Sequence, residues 1–338
     1  MKIIVPMAGR GSRLRPHSLS TPKPLIPIAG SPIVHQLVKE IAKVVKEPLT
    51  DIGFVLGDPA FFGEAVEEAL IQLAEELGAR PHLFRQDKPL GTGHAVLCAA
   101  ELLEGPAVVA YADTLIRANM NLDPTADGVI WVKKVDDPEA FGVVQLDQDQ
   151  KIINLVEKPK HFVSDLAVIG IYYFKEIERL KVALEKYSKQ ELGAGKEYQI
   201  NEGILDLINQ GAVIKPGNVT HWMDCGNPEV AIETNAKVLG LKEEEGADLV
   251  HPSVKLENSK IIPPCFIGKN VHIKNSIIGP GVSIGEETYI ENAELKNTLI
   301  QSHCHISTLK TEKAMIGHRV HYNGNPTFVS LGDYSELK

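Results

Sequence analysis

The sequence has few cysteines, and they form no recognisable framework. Its 338 residues include four, Cys98, Cys225, Cys265 and Cys304, and no two of them stand in C-x-x-C spacing. A cysteine zinc site and a disulfide scaffold are therefore not predicted. Scattered cysteines of this kind are typical of reduced thiols, so we expect a cytoplasmic protein.

Long apolar runs and a surplus of positive charge are also missing. No stretch approaches the ~20 apolar residues that a membrane span needs, so no membrane partner is expected. Lys2 leads directly into the first apolar run, and no leader sequence is predicted. The net charge of −9 argues against a general nucleic-acid binder, whereas a nucleotide substrate needs only local positive charge.

The most distinctive stretch is residues 2–25. An apolar run leads into Gly9–Arg13, whose sequence is G-R-G-S-R, and Lys23 follows ten positions after this segment. Glycines let backbone N–H groups approach an oxyanion closely, and the cationic side chains add positive charge. The dinucleotide fingerprint G-x-G-x-x-G fails at Leu14, and no Lys-Ser or Lys-Thr completes a Walker pattern after Gly11. The stretch therefore predicts another kind of phosphate cradle, with an ordinary glycine turn as the alternative.

Helical and strand-like apolar spacings alternate after this loop. Apolar residues at helical spacing follow Ser31-Pro32, so we predict a helix with Ser31 as its N-cap and Pro32 as its first residue. The same spacing at 61–77 predicts a second helix. Short apolar runs at 52–56, 81–84 and 108–111 predict strands. The alternation predicts an α/β fold with a Rossmann-like, mostly parallel sheet that carries helices on both faces.

The opening motif, G-x-G-S-R-L followed by P-K-P-L, resembles that of the sugar-1-phosphate nucleotidylyltransferases, also called sugar-nucleotide pyrophosphorylases. The resemblance implies a nucleotidyltransferase domain that joins an NTP to a sugar 1-phosphate and releases pyrophosphate. It also assigns roles within this loop. Nucleotide binding falls to Ala8, Gly9, Gly11 and Ser12, and catalytic phosphate contacts fall to Arg13 and Lys23.

A second glycine-rich stretch, Gln86 followed by L-G-T-G-H-A-V at 90–96, resembles the base-reading loop of uridylyl- and thymidylyltransferases. By that resemblance Gln86, Gly91 and Thr92 bind the nucleotide, which would be UTP or dTTP. Glucose 1-phosphate is the default sugar, and its epimers and N-acetylglucosamine 1-phosphate stay open. His94 is predicted as a residue at the helix start that packs or caps rather than as a catalyst.

Two aspartates are candidate metal ligands. Asp113 ends an apolar strand, where a carboxylate can hold a metal, and the alternative is that it caps the next turn. Ala112-Asp113 matches a G-D or A-D pair of the family, and residues 222–228 match its W-x-D-x-G-[TN]-P block, which supplies Asp224. The resemblance implies that both hold Mg²⁺, an ion that commonly takes one or two protein carboxylates. Asn227 is expected to cap a last helix that begins at Pro228.

Three further motifs match the sugar side of the family: F-G-V at 141–143, V-E-K-P at 156–159 and G-I-Y at 170–172. A carboxylate can accept two sugar hydroxyls, and an adjacent ammonium can contact the phosphate. The alternatives are a solvated Glu-Lys-Pro turn and a core tyrosine. By resemblance the sugar is bound by Gly142, Glu157, Gly170 and Tyr172, and its phosphate by the catalytic Lys158; Glu197 or Gln199 could border the pocket.

The chemistry that the resemblance implies needs no general base. A sugar phosphate oxygen is already ionised at neutral pH, so alignment and neutralisation of charge at the α-phosphorus should account for catalysis. The missing Ser-His or Cys-His pair is therefore consistent with this reaction. A homologue that binds sugar nucleotides without catalysis is the alternative from another class.

A different pattern follows residue 250. Isoleucine recurs at intervals near six, and I-G pairs occur at 267–268, 278–279 and 284–285. This periodicity predicts a short left-handed parallel β-helix of three or four coils, followed by an irregular tail from Lys310. The predicted domains are a catalytic domain at 1–240, a linker at 241–250 and the β-helix with its tail at 251–330.

So short a β-helix would be marginal alone, so we expect it to pack on the first domain or on another subunit of a homo-oligomer. Hexapeptide β-helices often belong to acyltransferases that use a histidine base. A bifunctional enzyme is therefore a further alternative. Its candidate bases are His272, His303 and His305.

Overall fold

The computed structural model describes residues 1–45, 47–118, 122–191, 193 and 196–325. Contacts divide the chain into two units. The first comprises Met1–Ile26 and Pro32–Gly226, and the second comprises Pro27–Ser31 and the chain from Asn227 onward.

Helices and strands alternate through the first 244 residues. In chain order they are β1 (Lys2–Pro6), β2 (Pro27–Ile28), β3 (Ser31–Pro32), α1 (Ile33–Val44), β4 (Asp51–Leu56), α2 (Glu64–Glu76), β5 (Arg80–Arg85), α3 (Thr92–Cys98), β6 (Ala107–Ala110), β7 (Thr114–Arg117), β8 (Gly128–Lys134), β9 (Gly142–Leu146), β10 (Ile152–Glu157), β11 (Leu166–Phe174), α4 (Ile177–Ser188), α5 (Ile200–Asn209), β12 (Ile214–Asn218), β13 (His221–Asp224) and α6 (Pro228–Glu244).

The central sheet of the first unit has a parallel half and a mixed half. Strands β5, β4, β1 and β6 lie side by side and run parallel. Strand β11 continues the sheet antiparallel to β6 and also pairs with β8 and β9. The predicted α/β class with a mostly parallel central sheet is thereby confirmed.

Both faces of this sheet are buried under helices. Along β1, Ile3 and Val5 join the core that includes α1 and α2, whereas Ile4 joins the core that includes α3, α4 and α5. Successive residues of a strand point to opposite faces, so a run that is apolar at every position must be covered on both. This burial explains why β1 reads as a continuous apolar run.

Several element boundaries differ from the predictions. Ser31 and Pro32 form the short strand β3 instead of opening a helix, and α1 begins at Ile33 without a side-chain cap. Helix α2 begins at Glu64, after the predicted start at 61. Strands β7, β12 and β13 are too short to show a clear apolar period and were not predicted. The predicted cap of α6 is confirmed, since Asn227 Oδ1 accepts from the Val230 amide at 3.0 Å.

The second unit is built from short parallel strands. They are β14 (Lys255–Glu257), β15 (Lys260–Ile261), β16 (Cys265–Ile267), β17 (His272–Lys274), β18 (Ile277–Ile278), β19 (Val282–Ile284), β20 (Tyr289–Glu291), β21 (Glu294–Leu295), β22 (Thr298–Ile300), β23 (His305–Ser307), β24 (Lys310–Thr311), β25 (Ala314–Ile316) and β26 (His321–Asn323).

These strands stack into three parallel sheets, as the predicted left-handed β-helix requires. Every third strand is a neighbour, so each coil contributes one strand to each sheet. Partners lie 17 positions apart at His272 and Tyr289 and 16 apart at Tyr289 and His305. Isoleucines such as Ile273 and Ile290 are fully buried inside the coils.

The β-helix extends further than the periodicity indicates. Strands β24, β25 and β26 continue it to Asn323, so the predicted irregular tail from Lys310 is wrong for these residues. The apolar signal fades there because Thr311 takes an inward position beside Leu295. The remainder of the predicted tail, 326–338, lies outside the described residues.

The contacts also group the chain differently from the predicted domains. Helix α6 belongs to the second unit by its contacts, and the domain bounds predicted at 1–240 and 251–330 stay a prediction. The predicted linker at 241–250 includes the end of α6 at Glu244. In the part of the chain that the structure describes, no helix is long and apolar enough to cross a membrane.

Candidate active site

A cavity of about 380 Å³ lies at the carboxyl ends of the parallel strands in the first unit. Pro6 ends β1, Gln86 directly follows β5 and Tyr111 directly follows β6, and all three line it. In open α/β sheets, ligands bind at this edge. The predicted site residues that line the cavity are Ala8, Gly9, Gly11, Ser12, Arg13, Lys23, Gln86, Gly91, Thr92 and Asp113.

The glycine loop is folded tightly around Lys23. Gly11 has φ +60°, and a Cβ at this position would lie 2.6 Å from Cβ of Lys23. Any other residue would therefore be strained and would displace the lysine. The carbonyl oxygen of Gly11 accepts from Ser18 Oγ at 2.7 Å, which fixes the other side of the turn.

Two cationic side chains with different surroundings reach this cavity. Lys23 is only 7% exposed, and its Nζ lies 3.6 Å from Oδ2 of Asp113. Arg13 is exposed in the middle of a single 3₁₀ turn, Ser12–Leu14, and has no ion-pair partner among the residues described. The buried cation is held in place by a carboxylate, whereas the exposed cation is available to a ligand.

The loop at 86–92, which is predicted to bind the nucleotide base, is held by its own side chains and by the segment before α5. Gly91 has φ +115°, and a Cβ there would lie 2.6 Å from the carbonyl oxygen of Tyr198, so only glycine fits. The amide of Tyr198 donates to the carbonyl oxygen of Leu90 at 2.8 Å. Gln86 Nε2 donates to the carbonyl oxygen of Gly91 at 3.1 Å, and this contact closes the loop on itself.

Thr92 lies at the cavity, but its hydroxyl is already engaged. Its Oγ1 donates to Gln199 Oε1 at 2.8 Å and accepts from the Ile200 amide at 3.0 Å. Gln199 Nε2 in turn donates to Glu197 Oε2 at 3.2 Å, and Glu197 also lines the cavity. The hydroxyl of Thr92 therefore connects the loop at 86–92 to the start of α5.

The two predicted metal ligands are brought together by a strand pair. Strand β13 runs antiparallel to β7, and the Cys225 amide donates to the carbonyl oxygen of Asp113 at 3.3 Å. Asp224 lies in register with Thr114, the neighbour of Asp113. A Cβ on Gly226, which lines the cavity, would lie 2.7 Å from Asp224 Oδ2.

This pair suits a divalent cation that draws its other ligands from elsewhere. Within the described residues, no cluster of three or more His, Cys, Asp or Glu side chains could hold a metal alone. Mg²⁺ usually takes one or two protein carboxylates together with substrate phosphates and water. Two neighbouring carboxylates, one of which lines the cavity together with Arg13 and Lys23, fit that pattern.

The residues predicted to bind the sugar 1-phosphate lie outside the cavity lining, and two of them, Glu157 and Lys158, are exposed. Gly142 pairs with Glu157 across β9 and β10, and a Cβ on Gly142 would lie 2.9 Å from Glu157 Oε2. Asn201 Nδ2 lies 3.5 Å from the same oxygen. Lys158 has φ +42° and is exposed, with its amide bonded to the carbonyl oxygen of Phe141 at 3.1 Å. The uncommon backbone of a residue other than glycine turns the chain sharply after Glu157.

Two tyrosines connect the two groups. The ring of Tyr172 meets that of Tyr111 edge to face, with centroids 6.2 Å apart. The hydroxyl of Tyr111 donates to the carbonyl oxygen of Thr92 at 3.1 Å, and the Tyr111 amide donates to the carbonyl oxygen of Gly170. Burial, and then the negative charges of Glu157 and Asp113, raise the pKa of Tyr172. Tyr172 is therefore a buried core residue, as the alternative held, and its contact with the sugar stays a prediction.

Three residues near the site were missed by sequence reasoning. Tyr111 lines the cavity, Asn201 contacts Glu157, and Trp222 meets Phe141 edge to face at 5.1 Å. Trp222 and Phe141 connect β13 to the turn before β9. Trp222 begins a recognised motif and the other two lie close to one, so adjacency was the available signal.

A glycine-rich loop, a buried lysine and a carboxylate at the ends of parallel strands are typical of enzymes that bind nucleoside phosphates. The nucleotidyl transferase family model matches residues 2–240. The chain therefore belongs to the nucleotidyl transferase family, and the predicted enzyme class is confirmed.

The relatives agree with this membership. The chain is 31% identical to the glucose-1-phosphate thymidylyltransferase of Streptomyces antibioticus, over 100% of this chain and 99% of the relative. It is 30% identical over 264 residues to the bifunctional protein GlmU of Methanococcus maripaludis, which covers 78% of this chain. The match spans only 60% of the length of that GlmU protein.

Solved structures share the fold. A Bacillus anthracis protein, described as a glucose-1-phosphate thymidylyltransferase in complex with sucrose, matches with a TM-score of 0.57 and 25% identity. The match covers 70% of this chain and 94% of that one. A nucleoside-diphosphate-sugar pyrophosphorylase of Vibrio cholerae RC9 matches over 69% of this chain and 99% of its own, with a TM-score of 0.59. At 21% identity, the second likeness concerns the fold alone.

Proposed function

We propose that this protein transfers a nucleotidyl group from UTP or dTTP to a sugar 1-phosphate, with glucose 1-phosphate as the first candidate. The products would be an NDP-sugar and pyrophosphate. The observation that carries the proposal is the cavity in which the glycine loop, Lys23, Gln86 and Asp113 meet. The glucose-1-phosphate thymidylyltransferase relative, aligned over 100% of this chain, supports the choice of substrates.

The reacting groups need alignment and neutralisation of charge rather than a general base. A sugar phosphate oxygen attacks the α-phosphorus of the NTP, and the bond to pyrophosphate breaks. Lys23, held between Gly11 and Asp113, would contact the α-phosphate and the sugar phosphate. Arg13 would bind the triphosphate and the leaving pyrophosphate, and Lys158 would hold the attacking sugar phosphate. Fixed cations at positions where negative charge develops lower the barrier.

The sugar itself would be bound by the open group around Glu157. Its two carboxylate oxygens can accept hydroxyl hydrogen bonds, and the absence of a side chain at Gly142 leaves room beside them. Gly170 and Tyr172 would form the floor between sugar and nucleotide, because Tyr111 packs against both.

Asp113 and Asp224 would hold Mg²⁺. When bound, this ion supplies further positive charge and orients phosphate oxygens. The carboxylate of Asp113 is 52% exposed and can turn towards a ligand, while Lys23 remains close to it.

A substrate matrix tests the proposal. Four NTPs and dTTP, each paired with several sugar 1-phosphates, are assayed for release of pyrophosphate at fixed Mg²⁺. UTP or dTTP with glucose 1-phosphate should release it fastest, and omission of either substrate should abolish release. Binding of a sugar nucleotide without any turnover would instead identify a non-catalytic homologue.

No contact of the candidate histidines in the described residues supports the acyltransferase alternative. A second cavity of about 250 Å³ lies in the β-helix unit, and none of the three candidate histidines lines it. His272 Nε2 is bonded to Glu257 at 2.8 Å, and the ring of His305 stacks on Tyr289. Self-association through the β-helix and a cytoplasmic location stay predictions.

A further inference from the structure

The side-chain amide of Gln86 is fixed in one orientation. Its nitrogen Nε2 lies 3.1 Å from the carbonyl oxygen of Gly91 and 3.0 Å from Nδ1 of His94. A carbonyl oxygen only accepts hydrogen bonds, so the atom beside Gly91 must be the amide nitrogen and not the amide oxygen. The contact with Gly91 therefore determines which way the amide points.

The same orientation determines the tautomer of His94. The amide nitrogen of Gln86 has two hydrogens, and with one directed to Gly91 the other faces Nδ1 of His94. Nδ1 must then accept, which places the ring proton on Nε2. A doubly protonated imidazole would bring two N–H groups together. Burial lowers the pKa of His94 and favours the neutral ring.

The amide oxygen of Gln86 is left for the cavity. Oε1 accepts no hydrogen bond from the described residues, and Gln86 is part of the cavity wall. Uracil and thymine carry an N–H donor at ring position 3, whereas cytosine carries a lone pair there. An acceptor at this point would bind the first two bases and repel the third, because a donor gains a hydrogen bond and a lone pair does not.

We propose that His94 is a positioning residue for base selection: by accepting from Gln86, it holds Oε1 towards the cavity and so disfavours cytidine nucleotides. The inference rests on the proposed function, in which the cavity binds an NTP. If the amide turned over, its NH₂ group would face the base and would suit the lone pair of cytosine. The hydrogen bond to His94 opposes this rotation of the amide, in addition to the hydrogen bond to Gly91.

Substitution at position 94 tests the selection. His94→Phe keeps an aromatic ring but removes the acceptor, while His94→Asn keeps an acceptor. The ratio of kcat/KM for UTP, or for dTTP if it is preferred, to kcat/KM for CTP is measured by pyrophosphate release. We expect His94→Phe to lower the ratio about fivefold to tenfold, the worth of one hydrogen bond, and His94→Asn to restore most of it.

His251→Phe is the matched control, since this histidine is exposed in the β-helix unit, bonded to Ser253 at 2.8 Å. It should leave the ratio unchanged. If His94→Phe lowers kcat/KM equally for all nucleotides, His94 has only a structural role and the proposal is overturned.

A second measurement is independent of activity. In ¹⁵N-labelled wild-type protein at pH 7.5, NMR should show His94 with Nδ1 unprotonated and Nε2 protonated. A proton on Nδ1 would overturn the proposal even if the ratio changed. If the wild-type protein turned over no NTP at all, the proposed function would fail, while this measurement would still decide whether His94 accepts from Gln86.

Discussion

Lys23 and Lys158 are both predicted to contact phosphate, yet the structure places them in opposite surroundings. Lys23 is 7% exposed, packs against Gly11 and faces Asp113. Lys158 is exposed at the end of β10. The same contrast holds for their neighbours, because Gln86 is buried and bonded on two sides whereas Glu157 is exposed and has one long contact at 3.5 Å.

We call the first group the nucleotide half (Gly11, Lys23, Gln86, Gly91) and the second the sugar half (Gly142, Glu157, Lys158). Groups held in place before binding lose little entropy when the ligand arrives and stabilise charge without reorganisation. Exposed side chains must be ordered by the ligand itself. The nucleotide half should therefore contribute mainly to turnover, and the sugar half mainly to binding of the second substrate.

Removal of Lys23 should have the largest effect. We expect Lys23→Ala to lower kcat by roughly 10²–10³-fold, as is usual when a fixed charge at the reacting group is lost. Lys23→Met, which keeps the packing against Gly11, should be nearly as inactive. Steady-state kinetics by pyrophosphate release, with thermal unfolding as a check on the fold, measure both.

The control for Lys23 is Lys39, whose Nζ forms an exposed ion pair with Glu76 at 2.9 Å. Such pairs contribute about 0–1 kcal/mol, so Lys39→Ala should leave kcat unchanged. If Lys23→Met retained near-normal turnover with a native melting curve, the loop would be an ordinary turn.

The second largest effect on turnover is expected from Asp224→Asn. This substitution keeps the shape of the side chain beside Gly226 but removes one of the two carboxylate charges proposed for Mg²⁺. We expect at least a tenfold loss of turnover at low Mg²⁺ and a higher Mg²⁺ concentration for half-maximal rate, because fewer charged ligands bind the ion less tightly. Asp149→Asn, a change at an exposed carboxylate, should alter neither value. A normal Mg²⁺ titration of Asp224→Asn would remove Asp224 from the proposed metal site.

The nucleotide half could be predicted from short stretches because its contacts are local. Gly11 and Lys23 are twelve positions apart, and Gln86 contacts Gly91 and His94 within eight. Short motifs of this kind can be matched to those of a known family, and the resemblance supplied the roles of these residues. The sheet and both helical layers were likewise apparent from apolar periods in long elements.

Long-range pairings were harder to predict. The contact between Thr92 and Gln199 spans 107 positions, and that between Asp113 and Cys225 spans 112. No local pattern encodes which strands will be neighbours, since that depends on packing of the whole chain. Strands β7 and β13, which bring the two aspartates together, are only four residues each. Their pairing therefore came from resemblance in the prediction and from geometry in the structure.

Lys158→Ala should affect the sugar substrate selectively. A charge-assisted hydrogen bond contributes about 1.5 kcal/mol or more, so KM for the sugar 1-phosphate should rise about tenfold or more. KM for the NTP should stay within about twofold, because Lys158 is outside the cavity lining. Lys160→Ala, at an exposed lysine two positions further, is the matched control. Equal increases in both KM values would erase the distinction between the two halves.

The smallest expected effect is a loss of stability in acid, to which two histidines next to the nucleotide half should contribute. Burial lowers the pKa of His17, in the loop between Gly11 and Lys23, and of His94 beside Gln86, from their usual value of 6.5. Below pH 6.5 the unfolded chain therefore binds protons that the folded protein resists, and the free energy of unfolding falls with pH. Urea unfolding at pH 7.5, 6.5 and 5.5 measures this slope.

His17→Gln and His94→Asn should each make that slope shallower, since each removes one group that the folded protein keeps neutral. Burial also lowers the pKa values of His35 and His318, so these two residues should account for part of the slope that remains in the variants. The free energy should change less between pH 7.5 and 6.5 than between pH 6.5 and 5.5, because histidines of the unfolded chain are mostly neutral at pH 7.5, half protonated at pH 6.5 and mostly protonated at pH 5.5. An unchanged acid slope in both variants would mean that burial does not keep these two histidines neutral, and the contrast between the halves would then rest on the two lysines, Gln86 and Glu157.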